Sequence, residues 1–326
     1  MRTHVTLPAL AALLLVSCAF QGCAKKPDVP GRRKIAGIIF QEDQFFRLVL
    51  FGMRDAASAN GAELLEANSE GKPDREIQLI NTYIAGGVDA IVVSPLSAKA
   101  SVIALARARA KGIAIITYNT NVEGEIASSY IESDQAALGR STGAAAREYV
   151  EKHLGGKANV AILAFQSQAP EQSTMRVRGF KEEITKLPGV RIVAEQDAWL
   201  AEQAVRKGGD MLTAHPEINV LWGANEGATV GEVMAVKNAG RGGRVAVFGT
   251  DTGEQIAGFL LDDDGILQAV TGQQPYEIGA RAVESALGVL KGEPVAAKQS
   301  LPGVLLSRTD PEGIRKFAAR LKELNR

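Results

Sequence analysis

From Lys34 to about residue 300 the chain alternates between short runs rich in Val, Ile and Ala and longer segments of helical period. Short apolar runs bounded by turn residues read as strands buried on both faces, and the amphipathic stretches read as the helices that cover them. The strand candidates are 34–40, 62–67, 89–93, 113–117, 127–131, 158–165, 190–195, 218–223, 244–249 and 266–271. Helices are expected between most of them, among others over 46–60, 73–86, 98–111 and 135–153. This alternation leaves parallel sheets with helices on both faces as the architecture. The helix 135–153 ends in His153-Leu154-Gly155-Gly156, a stop signal, and a fresh strand–helix series starts after it. The expected fold class is therefore α/β, with two doubly wound, Rossmann-like parallel-sheet lobes of about five strands each rather than one very wide sheet.

Charge and composition exclude several classes of function. Lys+Arg and Asp+Glu are both 37, so the net charge is zero, and no basic run forms a stripe for nucleic acid. Three His and two Cys supply no zinc-ligand spacing, and neither a metal nor a cofactor is expected. No Gly-x-Gly-x-x-Gly follows the first strand, and there is no Walker motif and no candidate catalytic triad. The expectation is a binder and not an enzyme.

The first residues differ from the rest. Arg2 and His4 precede an apolar run from Val5 to Val16, which suits a signal peptide better than a spanning helix. Both cysteines close this segment, each after a small residue (Ser17-Cys18 and Gly22-Cys23), and this resembles a bacterial lipoprotein cleavage box. Leu15, three residues before Cys18, favours Cys18, whereas the polar stretch beginning at Ala24 favours Cys23. Residues 1–23 are read as the signal peptide and 24–33 (AKKPDVPGRR) as a polar tether. The expected location is the periplasm or cell surface, with the membrane reached through a lipid anchor only. No Cys follows residue 23, so the folded body holds no disulfide.

Ligands of open parallel sheets bind beyond the carboxyl ends of the strands. Here those exits carry Gln41-Glu42-Asp43-Gln44-Phe45-Phe46, Ser94-Pro95, Tyr118-Asn119-Thr120, Asp197 and Trp199, Ala224-Asn225-Glu226, Thr250-Asp251-Thr252 and Gly272-Gln273-Gln274. Nearly every exit offers an acid, an amide or a large ring. Hydroxyls that both donate and accept are met by Asp, Asn and Gln, and the apolar C–H faces of a sugar ring by Phe or Trp. No His, Cys or Lys stands there to serve as nucleophile or proton shuttle. Arg176, with Arg178 as its rival, could bring several donors to the same place. Each residue also has a structural reading. Asp43 and Asp251 suit helix N-caps, Asn119 and Asn225 suit turns, and one of Phe45 and Phe46 suits the core, as does Trp222.

Over about residues 34–308 the chain resembles the type I periplasmic binding proteins of the ribose/galactose-binding family. The resemblance is carried, in family order, by EDQFF after the first strand, GGVDAIVVSP at 86–95, GIAIITYN at 112–119 and IESDQAALGRSTG at 131–143. RVRGF at 176–180, LTAHPEINVLWGANE at 212–226 and VAVFGTD at 245–251 complete it. It implies ligand contacts at Asp43, Phe45, Phe46, Ser94, Asn119, Thr120, Arg176, Trp199, Asn225, Asp251 and Gln273. Asn119-Thr120 departs from the Asp-Arg pair of the family's ribose binders. Asp43 and Trp199 are closer to its glucose/galactose binders, and no calcium loop is evident in the second lobe.

The resemblance also implies three crossings between lobes, near Glu132-Ser133, Gln273-Gln274 and Leu301-Gly303. These divide the chain into an N-terminal lobe of 34–132 plus 274–301 and a C-terminal lobe of 133–273 plus 302–326, joined by a three-stranded hinge. Asp310-Pro311 onward reads as a capped helix to Leu324 without an assigned role. The function so implied is that of a monomeric, extracytoplasmic solute-binding protein of an ABC importer. It would close on a monosaccharide, a pyranose slightly favoured, and present it to a permease and its ATPase. The alternatives are a sensing ectodomain for a chemoreceptor or signalling partner, or a binder of a polyol or nucleoside. The ligand-binding half of a transcriptional regulator is disfavoured by the export signal and by the lack of a helix-turn-helix before Lys34.

Overall fold

The structure is a computed structural model that describes residues 31–324 and Met1. Cys18 and Cys23, and with them the expected cleavage and lipid attachment, lie outside the described residues. The first series runs β1 (Lys34–Ile39), α1 (Gln44–Ala59), β2 (Glu63–Asn68), α2 (Pro73–Gly86), β3 (Ala90–Val93), α3 (Val102–Ala110), β4 (Ala114–Tyr118) and β5 (Ser129–Ser133). After α4 (Gln135–His153) the second runs β6 (Lys157–Ala164), α5 (Pro170–Ile184), β7 (Gly189–Asp197), α6 (Ala201–Ala214), β8 (Val220–Gly223) and α7 (Glu226–Asn238). It continues through β9 (Ala246–Thr250), α8 (Glu254–Leu261) and β10 (Leu267–Gly272). The chain ends with α9 (Pro275–Lys291), β11 (Lys298–Leu301), β12 (Val304–Ser307) and α10 (Pro311–Leu324).

The strands form two six-stranded sheets, in the orders β2-β1-β3-β4-β5-β11 and β7-β6-β8-β9-β10-β12. All pairings are parallel except β10 with β12. Both orders are doubly wound, with the direction of winding reversing between β1 and β3 in one sheet and between β6 and β8 in the other. These reversals open a crevice at the strand exits, where ligands of such sheets bind. The chain passes from the first sheet to the second after β5, returns after β10 and crosses again between β11 and β12.

Each sheet is covered on both faces. On the first, Phe46, Val49 and Met53 of α1 and Ile278, Ala282 and Val283 of α9 pack on one side, and Ile80 of α2 with Leu105 and Ala108 of α3 on the other. On the second, α4 and α5 pack with Trp222 and Phe248, opposite Met211 of α6, Val233 of α7, Leu260 of α8 and Ile314 of α10. Full burial of each large apolar side chain contributes about 1.5–3 kcal/mol, which explains why the Val/Ile runs cannot stay in solvent. Trp222 is core, stacked on Phe180 with centroids 4.3 Å apart.

Two expectations need correction. Four-residue strands β11 and β12 complete the two sheet edges where the sequence suggested only a crossing. Their exposed, partly polar KQSL and VLLS lack the continuous apolar character of a central strand. Helix α3 begins at Val102 rather than 98, because Ala98–Ser101 are held in turns by Ser97 and Lys99. No helix among the described residues is long and apolar enough to cross a membrane.

Glu232 of α7 is wholly buried and neither carboxyl oxygen finds a hydrogen bond of normal geometry. Burial pushes this carboxyl well above its ordinary value, a push that the Leu163 backbone only partly offsets. The folded protein therefore holds this proton more tightly than the unfolded chain does, so this group makes stability fall as pH rises above the ordinary carboxyl range. Glu232→Met is expected to remove that slope and raise stability at pH 7 by about 1–3 kcal/mol, read from urea midpoints between pH 5 and 8.

Candidate ligand-binding cleft

A cavity of about 590 Å³ lies where the strand exits of the two sheets face each other, within the size range of small-molecule sites. From the first sheet, Asp43 caps α1 by accepting the Phe46 N–H at 2.9 Å, and it also accepts the Gln41 side-chain amide. Its capping reading therefore holds, and the cap fixes Phe45 and Phe46 at the head of the helix. Phe46 belongs to the core, within 4.4 Å of the Phe40 ring and 5.1 Å of the Phe45 ring, so Phe45 is the more open of the two. Asn119 sits at φ 60°, a left-handed conformation that Asn tolerates. Its carbonyl accepts the Tyr130 hydroxyl at 2.9 Å and, from the facing sheet's side, the Gln172 amide at 3.5 Å. Thr120 follows it along the wall.

From the second sheet, Arg176 is 3% exposed on the buried face of α5, while Arg178 points to solvent and pairs with Glu182. Arg176 Nε donates to Gln135 Oε1 at 2.7 Å, and Nη1 donates to the Ala224 carbonyl at 2.9 Å and to Asp251 Oδ2 at 3.1 Å. The guanidinium also lies over the Phe165 ring, 5.2 Å from its centroid. Asp251 adopts φ 69° and does not cap α8, whose N-cap is Gly253. Its Oδ1 accepts Gln273 Nε2 at 2.9 Å and its Oδ2 the Glu226 N–H at 3.2 Å. Gln273 Oε1 in turn accepts the Ser133 hydroxyl at 2.9 Å, so one chain of bonds runs from Gln135 through Arg176, Asp251 and Gln273 to the end of β5. Asn225 caps α7: Oδ1 accepts the Ala228 N–H at 3.0 Å and Nδ2 donates to the Trp199 carbonyl at 2.9 Å. Trp199 is half-buried at the wall, its ring 5.7 Å from that of Phe165.

The cavity thus gathers ten of the eleven expected residues. Ser94 is the exception: it is wholly buried, and its hydroxyl accepts Asn119 Nδ2 at 3.5 Å, behind the wall that its neighbours Pro95 and Leu96 form. Asn225 lines the cavity, but its amide is spent on capping. Not singled out as contacts from the sequence were Gln172 and Gln255 on helix faces, Gln168 in the turn before α5, Gln44 at the head of α1, which was named only within the first strand exit, and Phe317 and Leu321 of α10. Nor was Glu226 singled out; its carboxyl is pushed up to about 7 by burial, then by Asp251 and Asp43. Glu226 does stand in a strand-exit tripeptide, but at the first position of a helix it reads as a partner of the helix dipole. Asp43, Asp251 and Glu226 face a single guanidinium, and neither Lys nor His lines the cavity. Among the described residues no group of His, Cys, Asp and Glu could hold a metal ion.

The sequence profile described as a periplasmic binding protein domain matches residues 38–294. The chain belongs to this family. It is 31% identical over 297 residues to the ABC transporter periplasmic-binding protein YphF of Escherichia coli, covering 89% of this chain and 88% of that one. It is 26% identical over 298 residues to the D-ribose/D-allose-binding protein of Pseudomonas aeruginosa, covering 87% and 91% of the two. Among solved structures, an ABC transporter periplasmic solute binding protein from Actinobacillus succinogenes with bound D-allose superposes with a TM-score of 0.78 at 26% identity. That match covers 86% of this chain and all of the other.

Proposed function

We propose that this periplasmic binding protein is the sugar-binding component of an ABC importer, closing its two lobes on a monosaccharide and releasing it unchanged. The observation that carries the reading is the pairing of rings and fixed polar groups in one cleft. Phe45 and Trp199 line it from opposite lobes, with the Asp43 carboxylate in the wall of the first lobe and the Asp251 carboxylate bound to the Arg176 guanidinium in the second. Rings suit the C–H faces of a sugar, and charged hydrogen-bonding groups suit its hydroxyls. The relatives named for ribose and allose support the class, and the wide ring of Trp199 favours a pyranose. The lobes are taken as 34–132 with 274–301 and 133–273 with 302–326, swinging about the three crossings as solute shifts the balance towards the closed form. Asp43, Phe45, Asn119, Thr120, Arg176, Trp199, Asp251 and Gln273 are the proposed contacts, while Phe46, Ser94 and Asn225 hold them in place. A permease with its ATPase would read the closed form, and a lipid at Cys23 or Cys18 would keep the monomer beside it.

The test is a thermal-shift and calorimetric screen against aldohexoses, pentoses, polyols and nucleosides. A sugar at 100 times its dissociation constant is expected to stabilise the protein by about 2.7 kcal/mol. Trp199→Ala is expected to weaken that sugar by tenfold or more (about 1.4 kcal/mol), together with a loss of unliganded stability because the ring packs against Phe165, so affinity is compared on the folded variant. A response to nucleosides or polyols alone would discard the sugar and keep the binder.

A further inference from the structure

Helix α10 reaches the cleft with its last turn instead of its first. Helices α1, α7 and α8 follow parallel strands and start at the strand exits, so their first turns stand there. Strand β12 is antiparallel to β10, and α10 follows it, so this helix runs the other way, from the base of the second sheet towards the exits. Its first half belongs to that sheet. Ile314 is wholly buried in the core there, with Phe317 and Ala318 packed against it.

The last turn does not belong to that core. Leu321 is only 4% exposed, yet it lies outside the core of the second sheet and lines the cavity. On the side of the first sheet, Leu48 of α1 is 6% exposed, lies outside the core of its own sheet and lines the same cavity, as does Pro275 at the head of α9. The residue before Leu321 crosses between the sheets. The Arg320 guanidinium lies over the Tyr276 ring of α9, 5.5 Å from its centroid. Tyr276 is fixed to the first sheet's helices. Its hydroxyl donates to Asp55 Oδ2 of α1 at 2.7 Å, and its carbonyl lies against Gly52 of α1, where a Cβ would not fit. Arg320 also pairs with Glu323 of its own helix at 3.3 Å. Neither Arg320 nor Tyr276 lines the cavity.

We propose that the last turn of α10 is a clasp between the two lobes, in which Arg320 on Tyr276, and Leu321 across the cavity from Leu48, hold the cleft around its solute and slow the solute's release. The inference rests on the cleft being the solute site. A solute enclosed between the strand exits leaves when the two sheets move apart. Tyr276 and Leu48 travel with one sheet, Arg320 and Leu321 with the other. Release therefore lifts the guanidinium off the ring and gives both leucines to water, which costs free energy. Arg320 is a positioning residue: it acts on the solute through the lobes and not by contact.

The experiment measures affinity by calorimetry and release by stopped flow, with D-allose, D-ribose, D-galactose and D-glucose on the full-length protein, beside melting curves taken without sugar. For the sugar that binds, Arg320→Ala is expected to speed release about threefold and to weaken affinity to match. Arg320→Lys keeps a cation over the ring and should recover most of that loss. Leu321→Gln is expected to speed release about tenfold. In Tyr276→Phe, which keeps the ring, Arg320→Ala should have its full effect, whereas in Tyr276→Leu it should add nothing. Such coupling between residues on different sheets is beyond a role confined to the second lobe. Unchanged release in both Arg320→Ala and Leu321→Gln overturns the inference and leaves the sugar reading standing. Lower melting temperatures with unchanged release assign the turn to stability alone and also overturn it, as do independent, additive effects of Arg320→Ala and Tyr276→Leu. Absence of binding by all four sugars to the unaltered protein overturns the sugar reading itself, and the inference with it.

Discussion

Arg176→Ala is expected to abolish measurable sugar binding and to cost the folded protein about 3 kcal/mol, the lower end of the range for breaking a buried ion pair. The guanidinium is nearly inaccessible and satisfies three acceptors on three different segments: Gln135 at the start of α4, the carbonyl of Ala224 after β8 and Asp251 after β9. Its removal leaves those acceptors to rearrange around a void. The loss is limited because Asp251 keeps its bonds from Gln273 and from the Glu226 backbone. Arg176→Lys keeps the charge but cannot serve acceptors lying in three directions, and should recover stability more than affinity. Urea unfolding beside calorimetry separates the two effects, and full affinity in Arg176→Ala would remove this residue from the site.

Gly139→Ala is expected to be as damaging to the fold, although it adds a single methyl group. Helices α4 and α5 approach so closely that a Cβ on Gly139 would meet the Arg176 carbonyl at 2.0 Å and the Phe180 nitrogen at 2.8 Å. Backbone cannot rotate aside as a side chain does, so the helices must part, at a cost of about 3 kcal/mol. The displaced backbone is that of Arg176 itself, so sugar affinity should fall with stability. Gly209→Ala in the interior of α6, where a Cβ meets nothing within 4 Å, provides the control. That change is expected to stabilise the protein by about 0.5–1 kcal/mol. Equal melting temperatures for the two variants would refute the close-packing argument.

The ten longer or more apolar strands were legible because a strand buried on both faces must be written in Val, Ile and Ala. Strands β11 and β12 were not: they are edge strands, as β2 and β7 are, but with four residues each, against six and nine, they are too short to carry a pattern of their own. The site was legible as far as it lies at strand exits, where topology dictates which residues converge. Ser94 shows the limit of that rule: it follows β3, but its side chain turns inward and the next two residues form the wall. Arg176 could have been chosen over Arg178 from spacing alone. Ser173, Arg176, Val177 and Phe180 recur at helical period and all are buried. Gln172 and Gln255 could not, because a helical Gln looks the same whether it faces a cleft or bulk water. Phe317 and Leu321 reach the cavity through the return of α10 onto α8, a tertiary event with no local signature.

The order in which strands join the sheets bears on how the molecule is made. The last strand of each sheet, β11 or β12, comes from residues 298–307, although the first sheet begins at Lys34. During synthesis neither lobe can finish ahead of the other, and the edges of β5 and β10 wait for partners that arrive almost at the chain's end. Pairings across such separations close slowly, because the entropy of a long loop is spent before any contact rewards it. A chain with this connectivity cannot complete either sheet until residues 298–307 have been delivered.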